Sequence, residues 1–229
     1  LVRSGRQSRG HRLHDPLAEL KSADELPARL AEAGVMVDRD QRAETIRSSI
    51  AAEAASCGGE ADCPESLFQE LVDLVEAPVV LKGEIADQYL DLPPEVIVTV
   101  MQSHQRYVPL RQPNATADPL QLEARNVLRS DFLLVGNGLP DASDTIVSGN
   151  QRVLSARLAD AEFFLNVDRR QPSEQRRQEL DRVTFAEGLG SLLDRTERIS
   201  WVMDQLVQAL ATSDSLAGHG RRAAHLCKN

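Results

Sequence analysis

The sequence predicts an α+β fold rich in helix, and three observations predict it. Apolar residues recur at helical spacing over Asp38 to Cys57, Asp144 to Val167 and Leu192 to Leu210. Short apolar runs at Val79 to Leu81, Tyr107 to Leu110 and Phe132 to Val135 suit strands. No internal repeat or low-complexity segment interrupts this mixture, so five or six helices combine with three or four short strands.

Taken in order, Asp38 can cap the first helix, Gln41 follows at capping-box spacing, and Ile46, Ile50 and Ala54 repeat every fourth residue up to Gly58-Gly59. A second helix opens at Pro64 and lays Leu67, Phe68, Leu71, Leu74 and Val75 on one side, with Pro78 as its stop. Val79 to Leu81 reads as a buried strand closed by Gly83, the Val pair favouring strand over a buried helical turn. Pro93-Pro94 starts a helix through Val96, Ile97, Val100 and Met101, and Tyr107 to Leu110 leaves it as a strand. Residues 111 to 129, with Pro113, Asn114, Asp118 and Pro119, read as an exposed loop or insertion. Phe132 to Val135 is the next strand, turned out by Gly136-Asn137-Gly138.

The longest helix is expected near 144–167, with Val147, Val153, Leu154, Leu158, Ala161, Phe164 and Leu165 on its apolar face and Arg157 able to pair with Asp160. Gly149 weakens its first turn or moves the start to Asn150. Phe164 falls on the stripe of Leu154, Ala161 and Leu165, so burial is expected for it. A helix from Ser173 to Ala186, a break at Gly188 and Gly190, and a helix from Leu192 to Leu210 complete the order. The organisation is a mixed α/β part over 1–140 and a helical part over 141–229.

With 229 residues, 41% hydrophobic and 27% charged, the chain can bury a core, and neither wholesale disorder nor a membrane protein is expected. Leu1 to His14 is basic without an apolar run behind it, unlike a secretory signal. Cys57, Cys63 and Cys227 form no even framework, which suits a reducing compartment, the cytoplasm. The absence of an initial Met and of a stop signal after the last helix-like stretch reads as a piece of a longer chain. The net charge of -9 is uneven: residues 1–14 carry four Arg and no acid, 15–100 carry 6 basic against 19 acidic, and 101–229 carry 16 of each. Contact with nucleic acid therefore belongs to the Arg-bearing parts.

No phosphate-cradling loop is present. Gly188-Leu189-Gly190 lacks the third glycine and the Lys-Ser/Thr pair, and reads as a helix break. Ser148-Gly149-Asn150 lacks the flanking glycines of a nucleophile elbow, and the Cys and His spacing supports no metal site. No catalytic residue is assigned. His11 and His14 sit three apart among arginines and read as a solvated basic loop rather than a ligand pair. Two clusters carry chemistry that can meet a nucleotide. In the first, His104, Arg106 and Tyr107 gather imidazole, guanidinium and phenol beside an apolar helix, able to stack and to reach phosphate. In the second, Asn150, Arg152 and Arg157 lie at the start of the long helix, where dipole and guanidinium act together on an anion. The alternatives are a packing corner held by polar bonds and arginines paired to acidic neighbours. Arg169, Arg170, Arg176 and Arg177 read as a solvated face diluted by Asp168, Glu174 and Glu179.

Two stretches resemble a known family. Leu92 to Leu110, centred on His104-Gln-Arg-Tyr107, and Ser148 to Phe164, reading Gly149-Asn-Gln-Arg-Val-Leu-Ser-Ala-Arg-Leu-Ala-Asp-Ala-Glu-Phe-Phe164, are similar to segments of the beta subunit of bacterial two-subunit glycyl-tRNA synthetase. Arg9-Gly-His-Arg12, Leu74 to Leu81 and Phe185 to Arg198 support the likeness in the same order, across nearly the whole chain. The resemblance implies an internal fragment of an aminoacyl-tRNA synthetase, a ligase that joins glycine to tRNA(Gly) with ATP. It also implies an alpha2 beta2 tetramer in which the alpha subunit uses ATP with magnesium, and this chain, without a cofactor, supports tRNA binding alongside a second beta subunit. An HD-like domain is expected near His225 to Asn229. Residues 111 to 129, Leu13 and residues 1 to 7 depart from the family pattern.

Overall fold

A computed structural model of the chain describes residues 5–13, 17–115, 123–138 and 140–228. It divides into two compact units, Leu1–Glu162 and Phe163–Asn229. The mixed and helical parts meet by sequence near residue 140; the compact units divide further on, within a continuous helix.

The first unit opens with a two-residue pair, β1 (Gln7–Ser8) and β2 (Ala18–Glu19), followed by α1 (Leu26–Glu32) and α2 (Arg39–Ser56). Then come β3 (Glu60–Ala61), α3 (Glu65–Leu74), β4 (Pro78–Glu84), α4 (Pro94–Thr99), β5 (Val108–Arg111), β6 (Leu128–Asn137) and the long α5 (Ser143–Arg169). Four strands make one antiparallel sheet in the order β3-β5-β6-β4. The α+β, helix-rich class is the observed one.

α2 begins where the capping signal sits: the Asp38 carboxylate accepts from the amides of Asp40 and Gln41 at 2.9 and 3.0 Å. Its stripe of Ile46, Ile50 and Ala54 is buried against Leu67, Phe68, Leu71 and Val72 of α3 and Val108, Leu110 and Leu133 of the sheet. Leu74, expected on that face, is 58% exposed. The apolar stripe of α3 has two margins, and the core takes the Val72 margin, leaving Leu74 on the other.

β4 runs past the expected stop at Gly83 and pairs with β6 from Pro78↔Asn137 to Glu84↔Asp131. Gly83 is a packing glycine inside the strand, because a Cβ there would stand 2.6 Å from the Phe132 ring. Gly136 and Asn137 likewise belong to β6, and Asn137 Oδ1 accepts from the amides of Glu76 and Ala77 at 3.1 and 2.9 Å, tying the strand ends together. Of the expected loop over 111 to 129, residues 116–122 lie outside the described residues. Arg111 remains in β5, Ala124 to Asn126 form a 3-10 turn, and β6 already begins at Leu128.

α5 starts at Ser143, so Gly149 lies within it, where a Cβ would meet nothing within 4 Å. Its buried residues are Leu154 and Leu158. Arg157 and Asp160 form no ion pair among the described residues. Phe164 is not buried: it is 64% and Phe163 61% exposed, with the two rings edge to face at 5.5 Å. The first unit ends at Glu162, so the stripe that buries Leu154 and Leu158 has no counterpart of that core beneath Phe164.

In the second unit, α6 (Ser173–Glu179) is shorter than expected. Thr184–Ala186 forms β7, antiparallel to β8 (Gly190–Ser191), instead of continuing the helix. Gly188 and Gly190, at φ +75° and +80°, supply the positive dihedrals this turn needs. α7 spans Leu192–Leu210, as the spacing predicts, opened by a reciprocal cap: Ser191 Oγ accepts from the Asp194 amide, and the Asp194 carboxylate accepts from the Ser191 amide. α8 (Asp214–Leu226) follows. Glu174 at the start of α6 accepts from Arg222 at 2.6 Å and meets His225 Nε2 at 2.9 Å, both on α8. Hydrogen bonds first from Arg222 and then from His225 hold its carboxyl below the usual range. Because the folded value is depressed, the stabilisation is complete above the unfolded value of about 4.3 and is lost as pH falls through the lower folded value. Thermal melts of wild type and Glu174→Gln should therefore differ near neutrality and converge in that acid window. A difference independent of pH would contradict the assignment.

Candidate nucleic-acid interface

The first polar cluster sits where a helix is made to end. α4 continues into a π-helical turn over Val100–Gln105, and Arg106 closes it in the left-handed region, φ 59° and ψ 35°. The amide of Tyr107 bonds back to the Met101 carbonyl at 2.9 Å, which reverses the chain into β5. A non-glycine residue pays strain in that conformation, about 1 to 3 kcal/mol, and the Arg106 side chain is held from two sides. Its Nε donates to Glu70 of α3 at 2.6 Å and its Nη1 donates to the Ser103 carbonyl. Gln102 Nε2 adds a bond to the Asp62 carbonyl at 2.8 Å. His104 is exposed and has no side-chain partner among the described residues.

Tyr107 is 4% exposed and its ring lies 5.0 Å from that of Phe132, inclined by 28°. Burial raises the pKa of its phenol. The hydroxyl donates to Asn150 Oδ1 at 2.6 Å, and Asn150 Nδ2 donates to the Ile146 carbonyl at 2.7 Å. This one bond brings together the two clusters, 43 residues apart in sequence. Tyr107 and Asn150 are thus structural partners as well as candidates, and Phe132, the platform behind Tyr107, is a contributor that sequence spacing does not reveal.

Arg152 and Arg157 are exposed on α5 and make no hydrogen bond or ion pair among the described residues. At about 100° per residue, Arg157 falls within roughly 20° of Asn150, two turns on, whereas Arg152 lies about 160° from buried Leu154. By that spacing Arg157 shares the Asn150 side of α5, about 10 Å further along the helix axis, and Arg152 lies on the other side. Arg106 is paired to Glu70 and is the candidate arginine least free to meet a phosphate.

The reading of His11 as solvated is corrected: it is 1% exposed. Its amide bonds to the Ala33 carbonyl at 2.9 Å, its Nδ1 accepts from the Leu13 amide at 3.4 Å, and Nε2 has no partner among the described residues. The backbone of His11 is tied to the end of α1 and its ring is buried, which a run of arginines conceals. His14 lies outside the described residues. Cys63 is half-buried and its thiol is pushed up to about 11 by burial and by Asp62 and Glu65, so it is a poor nucleophile. Among the described residues there is no group of three or more His, Cys, Asp or Glu placed to hold a metal ion, and no helix long and apolar enough to cross a membrane.

The sequence model described as glycyl-tRNA synthetase beta subunit matches residues 1–229. The chain is 38% identical over 228 residues to the glycine–tRNA ligase beta subunit of Picosynechococcus sp., covering 99% of this chain and 31% of that protein. It is 40% identical over 228 residues to the beta subunit of the same name from Acidithiobacillus ferrooxidans, with 99% and 31% covered. For that of Rhodospirillum centenum it is 36% over 230 residues, with 100% and 31% covered. The chain thus spans about 31% of the length of these relatives. Matched along its whole length, from the basic start through the Tyr107 corner to the last helix, the chain belongs to the glycyl-tRNA synthetase beta subunit family.

Proposed function

We propose that this segment supports tRNA binding and subunit architecture in a glycine–tRNA ligase, and leaves formation of glycyl adenylate to an alpha subunit that uses ATP with magnesium. The observation that carries the reading is the Tyr107–Asn150 bond at 2.6 Å, which ties the turn that bears the exposed His104 to α5, the helix that bears the exposed Arg157. An exposed imidazole and an arginine with no ion pair among the described residues suit a phosphate backbone, since neither must first break a salt bridge. The partners that follow are tRNA(Gly), the alpha subunit and a second beta subunit in an alpha2 beta2 tetramer, in the cytoplasm.

A second reading, a scaffold segment without RNA contact, is favoured by one specific observation: Arg106 is turned to Glu70 instead of outward. Binding measured separately for tRNA and for the alpha subunit decides between them. tRNA affinity that falls steeply with salt supports the first reading, because phosphate contacts release counterions. Salt-insensitive binding to alpha with no tRNA binding supports the scaffold. The purified chain is expected to show no glycine-dependent exchange of pyrophosphate into ATP, and measurable exchange would reject the division of labour.

A further inference from the structure

The second unit lacks a core of its own. Among residues 163–228 the buried side chains are Ser191, Thr196, Ala217 and Ala224, none of them large and apolar. Trp201, Leu210 and Leu216 are 65%, 69% and 59% exposed. A helical unit of this size is marginal even with a full hydrophobic core.

The uncovered apolar surface is shaped. Phe185 and Leu189 of the hairpin, with Ile199, Val202, Met203 and Leu206 of α7, line a groove of about 500 Å³. The four α7 residues recur at i, i+3, i+4 and i+7, one helical stripe. α8 approaches α7 closely at Gly220, where a Cβ would be 3.1 Å from Met203 Sδ, but Val202 and Leu206 remain 47% and 46% exposed. One edge of the groove is cationic. Arg195 lies 4.3 Å over the Phe185 ring and Arg198 donates to the Leu189 carbonyl at 3.0 Å, and neither forms an ion pair among the described residues.

We propose that this groove is the docking site of an amphipathic helix with an acidic flank, contributed by the part of the beta subunit beyond the 31% that this chain spans in its relatives. The length carries the choice of occupant: those relatives have more than twice as much further chain to cover an unfinished helical unit. A unit without a core is completed most directly within its own chain, since domains fold as units during synthesis, before another subunit is met. The periodic apolar stripe selects a helix, and Arg195 and Arg198 select carboxylates along its edge. The inference rests on the family and the second unit alone, so it stands or falls separately from the tRNA reading.

Maleimide labelling tests it. In a background with Cys57, Cys63 and Cys227 replaced by Ser, Val202→Cys and Leu206→Cys are introduced singly, with Glu187→Cys on the exposed hairpin as the control. Each variant is made in this 229-residue chain and in a beta subunit of the relatives' full length carrying this segment, and circular dichroism checks its fold. In the full-length subunit without alpha, positions 202 and 206 should react at least about tenfold more slowly than in the short chain, while 187 is unchanged. Equal rates in both chains, protection that appears only when alpha is added, or protection of the short chain that fades on dilution would each overturn the proposal. The last two outcomes would name the alpha subunit or a second copy as the occupant. A charge-reversed Arg195→Glu/Arg198→Glu variant should restore fast labelling at 202 in the full-length subunit; continued protection would remove the acidic flank from the proposal.

Discussion

Replacing Arg152 and Arg157 together by Ala, in the assembled enzyme, is expected to lower the salt slope of tRNA binding by between about one and two units. Each unit corresponds to about a fourfold share of the affinity lost between roughly 50 and 200 mM salt. Glycyl-adenylate formation should be untouched. Neither arginine has a carboxylate partner among the described residues whose charge would be stranded, and both are exposed on a helix, where Ala is the better helix former. The melting temperature should therefore hold or rise slightly. The lower end of the range follows if only Arg157, on the Asn150 side, reaches the RNA. Arg106→Ala should behave in the opposite way. It breaks a half-exposed pair with Glu70, worth up to about 1 kcal/mol, and leaves the salt slope alone. If the double variant binds with the wild-type slope and the Arg106 variant does not, the assignment of contact and scaffold is reversed.

The contrast between these arginines defines what the sequence can and cannot reveal. Local signals were legible: the Asp38 cap, the stripe of Ile46, Ile50 and Ala54, and the limits of α7 all follow from short-range rules. So was the gathering of polar groups at residues 104–107 and 150–157. Their partners were not, because Glu70 lies 36 positions from Arg106, and Asn150 lies 43 from Tyr107. Spacing cannot rank a free arginine above a paired one when the pairing residue comes from another helix. Gly83 misled for the same reason: read alone it ends a strand, yet Phe132 across the ladder requires its missing side chain. His11 and Phe164 failed in opposite directions. A short turn carries a polar ring inward, and a helix outruns the unit that would have covered its apolar one.

Phe132→Ala should destabilise the first unit by about 3 to 5 kcal/mol, the cost of emptying a large aromatic site in a packed core. Phe132 is 0% exposed, its ring covers Gly83 on β4 and stacks with Tyr107, and its backbone pairs with both β4 and β5. Collapse around the cavity is restricted because β6 is held between two paired strands, β4 and β5. Tyr107→Phe is the companion variant. It keeps the ring stack and removes only the hydroxyl, leaving Asn150 Oδ1 without its donor, at about 1 to 3 kcal/mol. The two units can be read apart, since both tyrosines, Tyr89 and Tyr107, lie in the first and the single tryptophan, Trp201, in the second. Urea unfolding of Phe132→Ala followed by tyrosine near-ultraviolet dichroism should reach its midpoint at lower denaturant with an unchanged slope. An unshifted tyrosine midpoint would mean that Phe132 is not the platform on which the Tyr107–Asn150 joint rests. A Tyr107→Phe variant that keeps its stability but loses tRNA affinity would place the phenol itself against the RNA.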